Sequence, residues 1–155
     1  VADEIDFQEN NAVSTEGDII KNNLKSYVAE FYEPLSASEI RVHAKEELDN
    51  KIMDFIKEGY DNEIYKTLIA SYERALTFIN KLPISIQVPE ISIENDGEIA
   101  FDWINGKYNY FSVSIGPSSF IHYAAINKLN KFHGKELLLD EFPEKIHTLV
   151  SDIFN

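Results

Sequence analysis

Residues 90–115 read Glu-Ile-Ser-Ile-Glu-Asn-Asp-Gly-Glu-Ile-Ala-Phe-Asp-Trp-Ile-Asn-Gly-Lys-Tyr-Asn-Tyr-Phe-Ser-Val-Ser-Ile, and this stretch decides the fold. Apolar residues recur at every second position, the period of a strand that buries one face. Ile91 and Ile93 alternate with Ser92 and Glu94, Asn95-Asp96-Gly97 marks a turn, and Ile99, Phe101 and Trp103 alternate with Ala100 and Asp102. A two-residue turn at Asn105-Gly106 would pair Phe101 with Tyr110 and Ala100 with Phe111, mixing the faces. A three-residue loop, Asn105-Gly106-Lys107 with Gly106 left-handed, pairs Phe101 with Phe111 and Ile99 with Val113. It predicts one face of Ile99, Phe101, Trp103, Phe111, Val113 and Ile115 and another of Ala100, Asp102, Tyr110, Ser112 and Ser114.

The pattern extends in both directions. Gly116-Pro117-Ser118-Ser119 makes the next turn and 120–126 the next strand, in which either Phe120, His122 and Ala124 or Ile121, Tyr123 and Ala125 face inward, the second set being preferred because it buries no imidazole. Pro143 suits the first turn of a closing helix whose apolar face is Ile146, Leu149, Val150 and Ile153. Upstream the period is that of helices. Ile20, Leu24, Tyr27, Val28 and Phe31 line a first helix that Pro34 stops. Ser36 and Glu39 fit a capping box for a second, which carries Ile40, Ala44, Leu48, Ile52, Phe55 and Ile56 to about Gly59. A third, from about Asn62, turns Leu68, Ile69, Tyr72, Ala75, Leu76, Ile79 and Leu82 inward and ends before Pro83. The expectation is an α+β domain over 18–155, its helical part 18–82 followed by an antiparallel meander of about four strands and a helix over 83–155.

Composition narrows the function classes. The 155 residues include 14 Lys+Arg against 27 Asp+Glu, a formal net charge of −13, with 44% hydrophobic residues and no Cys. That composition is globular. It excludes disulfides, thiolate metal sites and cysteine nucleophiles, and it argues against direct nucleic-acid binding. No apolar run reaches the roughly 20 residues that cross a bilayer, and no signal-peptide pattern opens the chain, so a cytoplasmic protein is expected. The acid is uneven: Asp3, Glu4, Asp6, Glu9, Glu16 and Asp18 face no Lys or Arg within residues 1–18. Residues 1–17 read as a loosely held acidic arm, either simply solvated or docking on a basic partner.

Few residues form a catalytic pattern. His43 with Glu46 and Glu47 has a spacing that can share a metal, but acidic helix surfaces produce it without one. His122 on the sheet could neighbour Ser112 or Ser114, yet neither serine lies on a nucleophile elbow. His133, before Gly134, reads as a loop or turn residue, and His147 as an exposed helix residue. Scattered glycines and two arginines, Arg41 and Arg74, give no phosphate-binding loop or clamp. No cofactor and no metal site are implied. The better candidate is the meander's polar face, where Glu94, Asp102, Tyr110, Ser112 and Ser114, with Tyr108 beside them, form an amphipathic patch of the kind interfaces use.

A series of landmarks runs through the second part of the chain: Gly59-Tyr60-Asp61, Leu82-Pro83, Pro89-Glu90-Ile91-Ser92, Asp96-Gly97-Glu98-Ile99, Asp102-Trp103, Phe111-Ser112-Val113-Ser114, Tyr123-Ala124, His133-Gly134 and Phe142-Pro143. In this order they resemble a widespread bacterial family of small uncharacterised proteins over residues 59–155, with Tyr60 where that family has Trp. The resemblance implies a layout and no chemistry.

The functional expectation is an acidic, non-catalytic interaction protein whose basic or nucleic-acid-binding protein partner is neutralised in the manner of an antitoxin, immunity protein or DNA mimic. The alternative is a small hydrolase or a metal- or ligand-binding domain on the sheet's polar face, which would need a perturbed carboxylate there. A homo-oligomer through the stripe from Ile40 to Phe55 is a third reading, against burial of that stripe in the core.

Overall fold

The computed structural model describes residues 15–30 and 39–155, with side chains described for 17–24 and 39–155. The capping residue Ser36, the breaker Pro34, Phe31, the side chains of Tyr27 and Val28, and arm residues 1–14 lie outside what is described. Helices α1 (Thr15–Glu30), α2 (Glu39–Glu58) and α3 (Asn62–Asn80) precede strands β1 (Glu90–Ile93), β2 (Ile99–Ile104), β3 (Asn109–Ile115), β4 (Phe120–Asn127) and β5 (Asn130–Leu137), and α4 (Glu144–Ile153) closes the chain. The strands form one antiparallel sheet in the order β1-β2-β3-β4-β5. This is the expected α+β class with one strand more than expected. The fifth strand contains His133 and Gly134, which the sequence reading placed in a loop. Its residues Asn-Lys-Phe-His-Gly-Lys-Glu-Leu are exposed or half-exposed throughout, so no buried face imprints a period of two on them.

One face of the sheet is buried under α2, α3 and α4, with α1 packed on α2 and α3. Ile91, Ile99, Phe101, Trp103, Phe111, Val113, Ile115, Ile121, Tyr123 and Ala125 form that face, all in a single core with Leu48, Ile52, Leu68, Tyr72 and Val150. The β4 residues are those expected to turn inward. The stripe from Ile40 to Phe55 packs into this core, Ala44, Leu48, Ile52 and Phe55 buried and Ile40 partly so. Helix α3 buries more than its expected stripe, adding Tyr65, Ser71 and Phe78, because the sheet lies on one side of it and α1 and α2 on others. The Phe78 ring meets Phe101 and Phe142 at centroid distances of 4.9 and 5.0 Å.

The β2–β3 register differs from the expected one. Phe101 pairs with Val113 and Trp103 with Phe111, a shift of two residues from the predicted partners. The shift preserves both faces, so alternation alone does not distinguish the registers. What selects the observed one is local. The Asn105 amide donates to the Asn109 carbonyl at 2.8 Å, the Trp103 indole donates to the Gln87 carbonyl at 2.7 Å, and the Asn105 side chain donates to the Ile153 carbonyl at 2.7 Å. The loop is therefore one step further along, with Gly106 at φ +77°.

Two contacts lock the helices to this sheet. Gly97, at φ +90° in the β1–β2 turn, approaches α3 so closely that a Cβ would lie 2.6 Å from the Ile64 carbonyl oxygen and 3.0 Å from the Leu68 nitrogen. Both neighbours are helix backbone, which cannot yield. Between α2 and α3, the buried pair Lys45–Asp49 closes at 2.8 Å, and the other Asp49 oxygen accepts from the Tyr72 hydroxyl at 2.8 Å. The corner joining these helices is fixed by Tyr60 stacked on Phe55, with ring centroids 3.9 Å apart, and by Asp61 accepting from the Ile64 amide.

Two stability predictions follow from these contacts. Gly97→Ala loses about 2 kcal/mol or more, combining a disfavoured φ with a backbone clash. Asp49→Ala removes the buried acceptor of both Lys45 and Tyr72 and costs about 3 kcal/mol. Urea unfolding followed by circular dichroism reads both, against Asp54→Ala as an exposed control on the same helix.

Candidate functional site

The face of the sheet turned away from the helices is built by the even-numbered residues of β2, β3 and β4. Asp102, Tyr110, Ser112 and Ser114 are half-buried there, and Ala100 is buried between its register partners Ser92 and Ser114. Those four expected site residues do come together. The Tyr110 hydroxyl donates to Asp102 Oδ1 at 2.7 Å, and the Ser114 hydroxyl donates to Glu98 Oε2 at 2.6 Å. Burial raises the Tyr110 phenol above its ordinary value; the Ser112 hydrogen bond opposes this, and the bond to Asp102 and that carboxylate's charge reinforce it. Tyr110 is thus held protonated as a donor.

Glu94 and Tyr108 are placed differently from the expectation. Glu94 lies just beyond β1, in the turn, where its amide donates to the Glu98 carbonyl at 2.8 Å. Tyr108 lies in the β2–β3 loop, at the opposite end of the strands, 57% exposed, with its carbonyl accepting from the Lys128 amide. It therefore stands apart from the acidic end of the face.

That acidic end includes two residues the sequence reading did not single out, Asp96 and Glu98. Carboxylate oxygens of Glu94, Asp96 and Glu98 all lie within 4.8 Å of one another, a spacing at which hard cations are held by oxygen ligands. Glu90 extends the acid along β1 as the register partner of Asp102. Partial desolvation and then the charges of Asp96, Glu98 and Asp102 push the Glu94 carboxyl above its ordinary value. Glu94 is nonetheless a surface residue, so its charge remains available to solvent. Among the described residues the ion pairs are Lys45–Asp49, Lys57–Asp54 and Lys66–Glu63, all within helices. None neutralises this strip. The signal that could have found Asp96 and Glu98 was the turn itself: Glu-Asn-Asp-Gly-Glu folds three carboxylates onto one bend.

The histidines give no catalytic arrangement. His122 is exposed between Ser114 and Lys135 in register, while the Ser114 hydroxyl is committed to Glu98. His43 and Glu46 are exposed on α2, but Glu47 instead accepts from the Ile91 amide of β1 at 3.1 Å. His133 projects from β5, and His147, expected to be exposed, is half-buried with Nε2 3.2 Å from the Ser85 hydroxyl. An open cleft of about 810 Å³ lies between β5 and the start of α4, lined by Phe120, Lys135, Leu139, Phe142 and Lys145 among others. There the Lys145 ammonium lies 5.7 Å from the centroid of the Tyr123 ring, and its interaction with that side chain holds its pKa above the ordinary value. No helix of the described residues is long and apolar enough to cross a membrane. No protein-family model matches the chain, and no curated protein or solved structure matches it.

The sign of the Glu94 effect gives a prediction. Its folded-state pKa is raised, so the folded chain holds this proton more tightly than the unfolded chain does. Stability is therefore lost as pH rises from about 4.5 through the raised value, and the full penalty applies above it. Glu94→Gln should raise the melting temperature at pH 7, and the gain should vanish below pH 4. Thermal unfolding across that range, wild type against variant, measures it.

Proposed function

We propose that this chain is a non-catalytic interaction domain that covers a basic surface on a protein partner. The observation that carries the reading is the strip of carboxylates Glu90, Glu94, Asp96, Glu98 and Asp102, on the helix-free face with no cationic partner among the described residues. Partial desolvation and the charges of Asp96, Glu98 and Asp102 disfavour the charged form of Glu94 in the folded chain, so repulsion acts within the strip. Against a basic surface the same repulsion is relieved, and a chain of net charge −13 attracts that surface from a distance. Ser112, Ser114 and Tyr110 continue the face with hydroxyls, and a partner whose cationic site is covered in this way is neutralised. A cytoplasmic setting, with an antitoxin, immunity or DNA-mimic role, fits this chemistry. A cation held by Glu94, Asp96 and Glu98 is the second reading, favoured by their oxygen spacing.

A tagged pull-down from the native host, at low and at high salt, tests the proposal. One stoichiometric basic protein, released by salt, is the expected result. Glu94→Lys with Asp96→Lys should weaken its binding at least tenfold, about 1.4 kcal/mol, chiefly through faster dissociation and slower encounter. An empty pull-down, or capture indifferent to both salt and charge reversal, would overturn it. Calorimetric titration with calcium chloride decides the cation reading.

A further inference from the structure

Charge on the helix-free face is graded in register from one side of the sheet to the other. One row of paired residues reads Glu90, Asp102, Ser112, Ala124 and His133 from β1 to β5. The next reads Ser92, Ala100, Ser114, His122 and Lys135, and a third runs from Ile104 to Lys131. Acid thus lies over β1 and β2 and base over β5, and Glu90, Lys131, His133 and Lys135 are all exposed. Between them the side chains are mostly small, so a second sheet can approach to the ordinary sandwich spacing of about 10 Å. Ile104, 51% exposed, and the exposed Ala124 are apolar surface that such an approach would bury.

The occupant that this gradient fits is the same gradient reversed. Sheets joined edge to edge at β5 would set Lys131, His133 and Lys135 of the two copies beside one another. The β1 edge is closed to such pairing, because α2 packs there and the Glu47 carboxylate accepts from the Ile91 amide. Stacked face to face about an axis across the strands, two copies would set β1 on β1, acid against acid. An axis along the strands instead sets β1 on β5 at both sides. We propose that two copies of this chain pack by their helix-free faces about a two-fold axis along β3, the acid of each over the base of the other. Ser112 then faces its own copy at the axis, and Glu90 faces the second copy's His133, with Lys131 and Lys135 on either side. The face offers roughly 400 Å² in projection on each copy, and more as accessible surface, near the lower bound of about 1,000 Å² for a specific interface. Each chain carries a net charge of −13, which opposes association at low salt. At physiological salt a Debye length of about 8 Å screens that overall repulsion and spares contacts of a few ångström. The proposal rests on the reading of the strip as a seat for a basic surface, which the second copy supplies; a basic host protein competes with that copy.

Light scattering on the purified full chain at physiological salt, with no host protein present, tests it by charge exchange. Wild type should approach twice the 17.8 kDa chain mass as concentration rises. Glu90→Lys with Glu94→Lys, and separately Lys131→Glu with Lys135→Glu, should each weaken self-association at least tenfold, because each opposes like charges. Mixing the two variants should restore the doubled mass, since both contacts of the mixed pair then join opposite charges; a misfolded variant cannot do this. The chain has no Cys, so Ser112→Cys and Thr148→Cys each carry a single thiol. A short bismaleimide should couple Cys at 112 to its copy and leave Cys at 148, on α4 behind the sheet, uncoupled. Wild type that stays monomeric up to millimolar concentration overturns the proposal. So does a mixture that remains monomeric, or coupling as ready at 148 as at 112. A monomer that still captures a basic host protein overturns this dimer and leaves the proposed function standing, whereas a dimer with an empty pull-down upholds the dimer and overturns only the host partner.

Discussion

The structure depends on one constraint, that five antiparallel strands bury only one of their two faces. Because side chains alternate strictly, placing Phe101, Trp103, Phe111 and Val113 under the helices obliges Asp102, Tyr110, Ser112 and Ser114 to face away from them. The helices are held to that face at a few unyielding points. Gly97 meets the backbone of α3, and Asp49 joins α2 to α3 through Lys45 and Tyr72. Neither point tolerates sliding. The outer face is thus presented rigidly, although nothing covers it among the described residues.

The same alternation explains what could be read from the sequence. The face assignments for β2, β3 and β4 follow from a period of two, and the helical stripes of α2, α3 and α4 from a period near 3.6. Register does not follow, because a shift of two residues leaves every face unchanged. It is set instead by contacts across the chain, such as Asn105 to Ile153 and Trp103 to Gln87, which no local pattern encodes. Strand β5 was illegible for a related reason. A strand whose half-buried positions are Gly134 and Glu136 carries no alternation of apolar residues, and its Lys, His and Gly residues resemble those of a loop.

The candidate site was legible in part. Asp102, Tyr110, Ser112 and Ser114 lie together because they share a strand parity, which the sequence displays. Tyr108 does not join them, because the observed loop begins one step later than expected and carries it to the far end of the strands. Asp96 and Glu98 were hidden by their role in the turn: a residue read as turn punctuation is easily discounted as a charge. The Asp96 side chain does serve the turn, accepting from the Glu98 amide at 3.0 Å, and its charge also raises the Glu94 carboxyl.

The charge of this acidic turn exceeds what closing a hairpin calls for. A neutral turn such as Asn-Gly flanked by threonine would close β1 on β2 without crowding carboxylates. Of the carboxylates crowded at this bend, Glu94 is held above its ordinary value by partial desolvation and its neighbours' charges, while Asp96 and Glu98 accept hydrogen bonds from the Glu98 amide and the Ser114 hydroxyl. At the other edge the lysines of β5 are equally unnecessary to the core, since no described element packs on that strand's outer side. The sheet therefore carries negative charge at the β1–β2 end and positive charge along β5, separated by the serines of β3. The two charges thus sit on one rigid face that the alternation of the strands keeps free of the helices.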